Sequence, residues 1–203
     1  CDILSNIVSN SVGIQWGQST LTGNNEEKTT GIYFGNGDIT NTTVQGNVVS
    51  ECSDGILIDH APGFDGNRVL NNTVFGCDEA QIILQDLGIH ENPDPSQNDT
   101  YFPIFDTEIS QNVLYCLNSG QLCLFESQAK ALSYAGTQPL VVYGTYDANK
   151  YFNPFSEVLV GQQVFYDDGL NGALGGTKLI PWTLEAWRSR YQQDATTTIS
   201  PLS

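Results

Sequence analysis

Basic residues are scarce in this chain. It has 7 Lys and Arg against 23 Asp and Glu, which gives a formal net charge of -16 over 203 residues. A nucleic acid or an anionic lipid surface is therefore a poor partner, because binding there depends on positive charge that displaces counterions. No apolar run of roughly 18 residues is present either, so no membrane span is expected. Hydrophobic residues still make up 39% of the chain, enough for the core of one folded domain.

Histidines and paired cysteines are also few. The two histidines are His60 and His90, and none of the five cysteines is in a CxxC pair, so a structural zinc site is not expected. Three triplets match the N-glycosylation pattern, and their asparagines are Asn41, Asn71 and Asn98. Together with the cysteine usage they favour a secreted, extracellular glycoprotein.

The sequence contains an internal repeat. Residues 44–52 align with residues 69–77, and the segments 109–116 and 3–8 repeat the same pattern. Each copy leads into a second short apolar segment, found at 13–16, 55–58, 82–84 and 122–125. Short β-branched segments between turns rich in Asn and Gly predict strands. Their repetition predicts the coils of a parallel β-solenoid.

Equivalent positions in stacked coils are expected to form ladders. The predicted asparagine ladder consists of Asn6, Asn47, Asn72 and Asn112. Cys52 and Cys77 are predicted to stack in adjacent coils, where both a disulfide and a pair of buried free thiols are compatible with the spacing. The other disulfide candidates are Cys116 and Cys123, and Cys1 is the candidate for an intermolecular disulfide.

The chain is predicted to have two parts. Residues 1–145 form the coils, with loop insertions at 18–38 and 86–107, and residues 146–203 form a turn region and a capping segment. In the capping segment, Thr183 is placed to N-cap a helix. Leu184, Trp187 and Tyr191 share one face of that helix, which is expected to cover the apolar end of the solenoid.

The C-terminal residues resemble a known family. The relevant segments are Tyr146-Asp147-Ala148-Asn149-Lys150-Tyr151-Phe152-Asn153-Pro154, Leu184-Glu185-Ala186-Trp187 and Gln193-Asp194-Ala195-Thr196-Thr197-Thr198-Ile199. Together with the Asn-Val/Ile coils they are similar to proteins of the pectate-lyase-like superfamily, and the resemblance covers most of the chain. It implies an all-β fold, a right-handed parallel β-helix with a C-terminal capping helix. It also implies a secreted domain that binds polysaccharide or cleaves it, as a polysaccharide lyase or a glycoside hydrolase.

The first candidate site follows the strand predicted at 55–58. Asp59, His60, Asp65 and Arg68 lie where a strand passes into a loop, a common place for functional residues. Ile58-Asp59-His60 is similar to a pectate-lyase motif whose acidic residue helps to bind Ca²⁺, so Asp59 and Asp65 are the candidate ligands of that cofactor. His60 is the candidate for proton transfer, and Arg68 is a cation that can reach the same face. The arginine motif of pectate lyases has no counterpart here, and a solvated turn is the alternative interpretation.

The second candidate site lies in the insertion at 86–107. His90 and Glu91 offer polar groups, and the rings of Tyr101 and Phe102 offer stacking surfaces for a sugar, although an ordinary solvated loop is again the alternative. The chain is expected to be the C-terminal portion of a larger protein, or to have its open N-terminal end covered by a partner chain or by self-assembly. The competing function is a non-catalytic solenoid that assembles through this end as an adhesive, filament or surface component.

Overall fold

The structure is a computed structural model that describes most of the chain. The described residues are 1–13, 27–34, 40–59, 66–85, 89–90, 100–101, 104, 106–127, 143–167 and 174–199. Within these ranges no helix has the length and apolar character needed to cross a membrane.

Three sheets dominate the described part of the chain. Sheet A contains, in spatial order, β1 (Asp2–Leu4), β6 (Thr43–Gln45), β9 (Arg68–Leu70), β14 (Thr107–Ser110) and β17 (Gly144–Asp147). Sheet B contains β2 (Ile7–Ser9), β7 (Val48–Ser50), β10 (Thr73–Phe75), β15 (Val113–Tyr115), β18 (Lys150–Phe152) and β21 (Thr198–Ile199). Sheet C contains β5 (Ile32–Phe34), β8 (Ile56–Asp59), β11 (Ala80–Gln85), β16 (Leu122–Ser127), β19 (Val160–Asp167) and β20 (Leu174–Trp182).

Successive strands along the chain belong to sheets A, B and C in turn. We call each set of three strands, one from each sheet, a coil. Coils 1 to 5 are β1-β2-β5, β6-β7-β8, β9-β10-β11, β14-β15-β16 and β17-β18-β19. Neighbouring coils pair in parallel and in register, and only β20 runs antiparallel to its neighbour within the three sheets. The prediction of an all-β protein with stacked parallel strands is confirmed, and the arrangement is compatible with a β-helix.

Two small ribbons lie outside this stack. The first pairs β3 (Val12–Gly13) with β4 (Glu27–Lys28), and the second pairs β12 (Ile89–His90) with β13 (Thr100–Tyr101); both are antiparallel. They lie at or near the insertions predicted at 18–38 and 86–107.

The core lies between the sheets and consists of inward-facing ladders. In sheet A one such ladder is Ile3, Val44, Val69, Ile109 and Tyr146, and in sheet B another is Val8, Val49, Val74, Leu114 and Tyr151. All members are buried except Ile3 and Val8, which are only partly buried in coil 1. Because side chains alternate between the two faces of a strand, one apolar residue at the centre of each short strand is enough to build this core. Each fully buried aliphatic side chain contributes roughly 1.5–3 kcal/mol.

The predicted asparagine ladder is confirmed at the turns between sheets A and B. The Asn72 Oδ1 accepts hydrogen bonds from the Asn47 backbone N–H at 2.9 Å and from the Asn47 Nδ2 at 3.0 Å, while the Asn72 Nδ2 donates to the Val44 carbonyl at 2.9 Å. The same pattern links Asn6 to Asn47 and Asn72 to Asn112. A residue in the left-handed conformation precedes each of these four asparagines and closes the turn: Ser5, Gly46, Asn71 and Gln111. Ala148 has the same conformation directly before Asn149.

Coil 5 differs from the prediction made for its residues. The segment 146–154 was expected to be a turn region, but it contains part of β17 and all of β18. Asn149 continues the ladder, because its Oδ1 accepts from the Nδ2 of Asn112 at 3.0 Å. The repeat therefore has a fifth copy, in which Tyr146 and Tyr151 occupy the inward positions that hold aliphatic residues in the other copies.

The C-terminal cap is confirmed. Helix α1 (Leu184–Tyr191) is N-capped by Thr183, whose Oγ1 accepts a hydrogen bond from the Ala186 backbone N–H at 3.3 Å. Leu184 and Trp187 are buried in the main core, and Tyr191 packs against it. β21 then adds to the end of sheet B by pairing with β18. The helix and this strand cover the coil 5 end of the stack.

All five cysteines are free thiols. Cys1 is exposed, whereas Cys52, Cys77, Cys116 and Cys123 are buried. The sulfur atoms of Cys116 and Cys123 are 3.7 Å apart, a non-bonded contact. Of the two arrangements considered for the buried cysteines, the structure has the free thiols packed as small apolar groups.

Candidate functional site

The first predicted cluster spans the connection from sheet C to sheet A. Asp59 is the last residue of β8 and pairs with Gln85, and Arg68 is the first residue of β9. His60 and Asp65 lie outside the described residues, as does the side chain of Asp59. The structure thus places Asp59 at the end of one strand and Arg68 at the start of the next. That all four residues lie close together stays a prediction.

Arg68 lies on the outer face of sheet A. In that sheet it is the neighbour of Thr43 in coil 2 and of Glu108 in coil 4. The guanidinium is exposed, and its Nη2 donates to the Thr43 Oγ1 at 3.2 Å. Glu108 is also exposed, and its Oε1 accepts from the Ser110 hydroxyl at 2.9 Å. This face therefore offers one cation and several hydrogen-bonding groups to a ligand in solvent.

The second predicted cluster contributes residues to the ribbon of β12 and β13. His90 pairs with Thr100, and Tyr101 pairs with Ile89, so the two candidates occupy neighbouring strands. Their side chains, together with Glu91 and Phe102, lie outside the described part of the chain. Two of the glycosylation candidates, Asn41 and Asn71, are exposed turn residues with positive φ, and Asn98 lies outside the described residues.

An aromatic row runs along the outer face of sheet B. Phe75, Tyr115 and Phe152 end three consecutive strands and are direct neighbours in register. The rings of Tyr115 and Phe152 stack with centroids 4.4 Å apart and planes at 12°. All three side chains are partly exposed. Strand spacing of about 4.8 Å places the three side chains in one line, so the row forms an apolar surface along the stack.

Further apolar side chains border this aromatic row. Val113 is on the same face of β15, and Leu117 and Phe155 lie in the turns that directly follow β15 and β18. Phe155 is 57% exposed and Leu117 is 47% exposed. Among the described outward residues of sheet B, Lys150 is the only one with a charge. The described outward residues of the sheet B strands therefore carry no carboxylate, in a protein of net charge -16.

Sequence reasoning did not single out the aromatic row, although the signal was present. Phe75 and Tyr115 occupy the same position of the aligned repeat, directly after the inward Val74 and Leu114. An aromatic at one repeat position in consecutive copies predicts a stacked row on a sheet surface.

Two buried carboxyl groups lie at the capped end. Glu126 accepts hydrogen bonds from the Tyr146 hydroxyl and from the Gln162 Nε2, the latter at 2.6 Å. Burial raises the pKa of Glu126 to about 7, and these hydrogen bonds only partly oppose that shift. Asp194 accepts from the Trp187 indole at 2.9 Å and from the Tyr151 hydroxyl at 3.2 Å, and burial raises its pKa as well. Asp194 ties the cap to coil 5 and Glu126 on β16 ties coil 4 to coil 5, which indicates a structural role for both.

Two further carboxyl groups, those of Asp54 and Glu79, lie in the turns between sheets B and C. Burial raises the pKa of Asp54 and of Glu79, and repulsion from neighbouring acidic groups adds to both shifts. The Asp54 Oδ1 is buried without a hydrogen-bond partner. Within the described ranges no group of three or more potential ligands is arranged to hold a metal ion. Asp59 and Asp65 were predicted to bind Ca²⁺, and the side chains of both lie outside the described part of the chain, so this stays a prediction.

No protein family, curated protein or solved structure matches this chain. The fold itself defines the class: an all-β protein whose three mostly parallel sheets stack in register, with one short helix in the described part of the chain.

Proposed function

We propose that this chain is a secreted right-handed parallel β-helix domain that binds a neutral polysaccharide. The observation that supports this most is the aromatic row on sheet B. A sugar ring has apolar C–H faces and a rim of hydroxyls, and it packs well on a surface that combines aromatic carbon with a few polar groups. Phe75, Tyr115 and Phe152 supply the carbon, and the Tyr115 hydroxyl and Thr73 supply hydrogen-bonding groups beside it.

The spacing of the coils favours a polymer over a small molecule. Apolar contacts recur at every strand of coils 3 to 5, about 4.8 Å apart, in a line parallel to the stack. Phe155 extends the surface at the capped end. A chain of sugar units can use all of these contacts together, whereas a single sugar can use only one or two.

The charge distribution favours a neutral polymer. At a net charge of -16 the protein repels polyanions over long distances. The single positive charge of Lys150 is too small to offset this repulsion at sheet B. An uncharged polysaccharide approaches this face without an electrostatic penalty, and salt should change its affinity little.

Polysaccharide affinity measurements test the proposal. Calorimetry against a panel of soluble neutral glucans, xylans and mannans, with polygalacturonate as the anionic control, should find at least one neutral binder. Tyr115→Ala and Phe155→Ala should each weaken its binding by about tenfold, roughly 1.4 kcal/mol. Leu179→Ala is the matched control, since Leu179 is 52% exposed on β20 of sheet C. Absence of any neutral binder, or equal affinities of Phe155→Ala and Leu179→Ala, would contradict the proposal.

We propose a catalytic role, as lyase or hydrolase, for the cluster of Asp59, His60, Asp65 and Arg68. It is supported by the exposed guanidinium of Arg68 at the start of β9, nine positions after Asp59 at the end of β8. His60→Ala should abolish cleavage of a bound polysaccharide while its affinity and the melting temperature stay unchanged. Removal of divalent cations with EDTA should stop the same reaction if Asp59 and Asp65 hold Ca²⁺. Full turnover by His60→Ala would exclude this site.

A further inference from the structure

Two buried cysteines of coil 4 lie in direct contact. Cys116 directly follows β15, and Cys123 is the second residue of β16, so one short turn of the same coil connects them. Their Sγ atoms are 3.7 Å apart, and both side chains are fully buried. Because the two sulfur atoms already touch, a disulfide between them requires only a small further approach, to a bond length of about 2.05 Å.

The other two buried thiols form hydrogen bonds within their own coils. The Cys52 Sγ donates to the Ser50 carbonyl at 3.2 Å, and the Cys77 Sγ donates to the Phe75 carbonyl at 3.8 Å. In both cases the acceptor lies two residues earlier in the chain and not on the neighbouring coil. The geometry therefore favours the pair in coil 4 over a pairing between adjacent coils.

Coil 5 covers the coil 4 pair. The Cys116 backbone N–H donates to the Phe152 carbonyl at 2.8 Å, and the Cys123 backbone N–H donates to the Leu159 carbonyl at 2.9 Å. Burial and the neighbouring sulfur of Cys116 raise the pKa of the Cys123 thiol well above its usual range. Because the thiolate is the form that attacks a disulfide, the pair reacts slowly once it is buried. Oxidation therefore belongs to the stage before coil 5 stacks on coil 4.

We propose that Cys116 and Cys123 are a disulfide-forming pair, oxidised by a low-molecular-weight disulfide while coil 5 is not yet in place. The structure describes the reduced form of this pair. One cysteine thiolate attacks a sulfur of the oxidant, whose S–S bond breaks and releases one thiol. The other cysteine thiolate then attacks the protein sulfur of the mixed disulfide and releases a second thiol. Two protein thiols are oxidised, one small disulfide is reduced, and the two cysteine protons end on the released thiols.

The bond would close an eight-residue loop at the corner between sheets B and C. Tyr115 of the aromatic row and Leu117 flank Cys116, so the bond also fixes the corner that carries them. A cross-link of this kind restricts the unfolded chain and so stabilises the fold. Disulfides persist in oxidising compartments, in agreement with the secreted setting proposed above. The pairing itself does not depend on polysaccharide binding.

Thiol mapping after refolding tests the pairing. A Cys1→Ser background removes the exposed thiol and leaves the four buried ones. The reduced, denatured protein is refolded in a buffer of reduced and oxidised glutathione, denatured again, alkylated with iodoacetamide and digested with trypsin. Cleavage after Arg68 separates Cys52 from Cys77, so a bond between those two would join two peptides. The same mapping on protein expressed in an oxidising secretory compartment needs no refolding step.

The proposed pair predicts one alkylation pattern. We expect alkyl groups on Cys52 and Cys77 and none on Cys116 and Cys123, whose bond lies inside a single tryptic peptide. Any other pattern, including alkylation of all four cysteines or two peptides joined through Cys52 and Cys77, would overturn the proposal.

Melting temperatures test the consequence of the bond in the same background. The form refolded with glutathione should melt about 5 °C above the form refolded with dithiothreitol. Cys116→Ala should lose this difference, because Cys123 then has no partner sulfur. Cys52→Ala is the matched control at another fully buried cysteine and should retain the difference. An equal difference in the two variants would refute the pairing. Neither experiment contains a polysaccharide, so this proposal and the proposed function can fail separately.

Discussion

At the scale of single residues, the asparagine ladder shows how one amide can serve two coils. The Asn72 side chain satisfies two donors of Asn47 through its Oδ1 and the Val44 carbonyl through its Nδ2. All of these groups are buried, so water cannot replace a lost partner. The spacing of the repeat predicted which residues form the ladder. The bonds to the carbonyls of the preceding coil could not be predicted, since they depend on how closely the coils stack.

Replacing Asn72 should therefore be far more costly than replacing Asn6. Asn72→Ala leaves the Asn47 backbone N–H, the Asn47 amide and the Val44 carbonyl without partners, at about 1–3 kcal/mol for each group, so we expect a loss of at least about 3 kcal/mol. Asn6→Ala removes only donors at the exposed end, where water can compensate, and should cost less than about 1 kcal/mol. Urea unfolding followed by circular dichroism measures both. Similar losses for the two variants would contradict this account of the ladder.

At the scale of elements, coil 5 shows where the sequence pattern fails. Tyr146 and Tyr151 replace the aliphatic residues of the other copies, so the segment lacks the β-branched alternation that predicted the strands elsewhere. Both tyrosines can be buried because Glu126 accepts a hydrogen bond from the Tyr146 hydroxyl and Asp194 accepts one from the Tyr151 hydroxyl. Glu126 lies on β16, and its partners are 20 and 36 residues further along the chain. Such contacts between distant residues cannot be predicted from a local pattern, whereas the helix and its Thr183 cap were predicted correctly.

The buried Glu126 should make the protein more stable at mildly acidic pH. Its pKa is raised from 4.5 to about 7, so the folded chain binds a proton more tightly than the unfolded chain. The stabilisation is complete below about pH 4.5 and is lost as the pH rises towards 7, by an amount of about 3 kcal/mol for this group. The raised pKa of Asp194 acts in the same direction over its own range.

Glu126→Gln should remove much of this pH dependence. The amide keeps polar contacts with Tyr146 and Gln162 but carries no charge, so the free energy of unfolding should change less between pH 5 and pH 8. Glu157→Gln, at an exposed position, is the control and should retain the slope of the parent protein. Chemical denaturation at several pH values gives the comparison. A slope in Glu126→Gln as steep as that of the parent would assign the pH dependence to other groups.

At the scale of the whole molecule, the two ends of the stack differ. A repeat in the sequence predicts that coils stack, but it does not predict which groups cover the first and the last coil. One end has α1, β21 and the tail around Asp194, whereas in the described part of the chain β1, β2 and β5 at the other end pair on one side only.

The position of the cap at the C-terminal side of the repeat also has a consequence during translation. A ribosome synthesises coils 1 to 5 before the cap residues 184–199, so a growing chain can stack its coils as they emerge. Until the cap residues are released, coil 5 lacks the cover that Trp187 and Asp194 provide. Premature termination before residue 184 would therefore leave a nascent product whose coil 5 is uncovered, a substrate for chaperones and proteases.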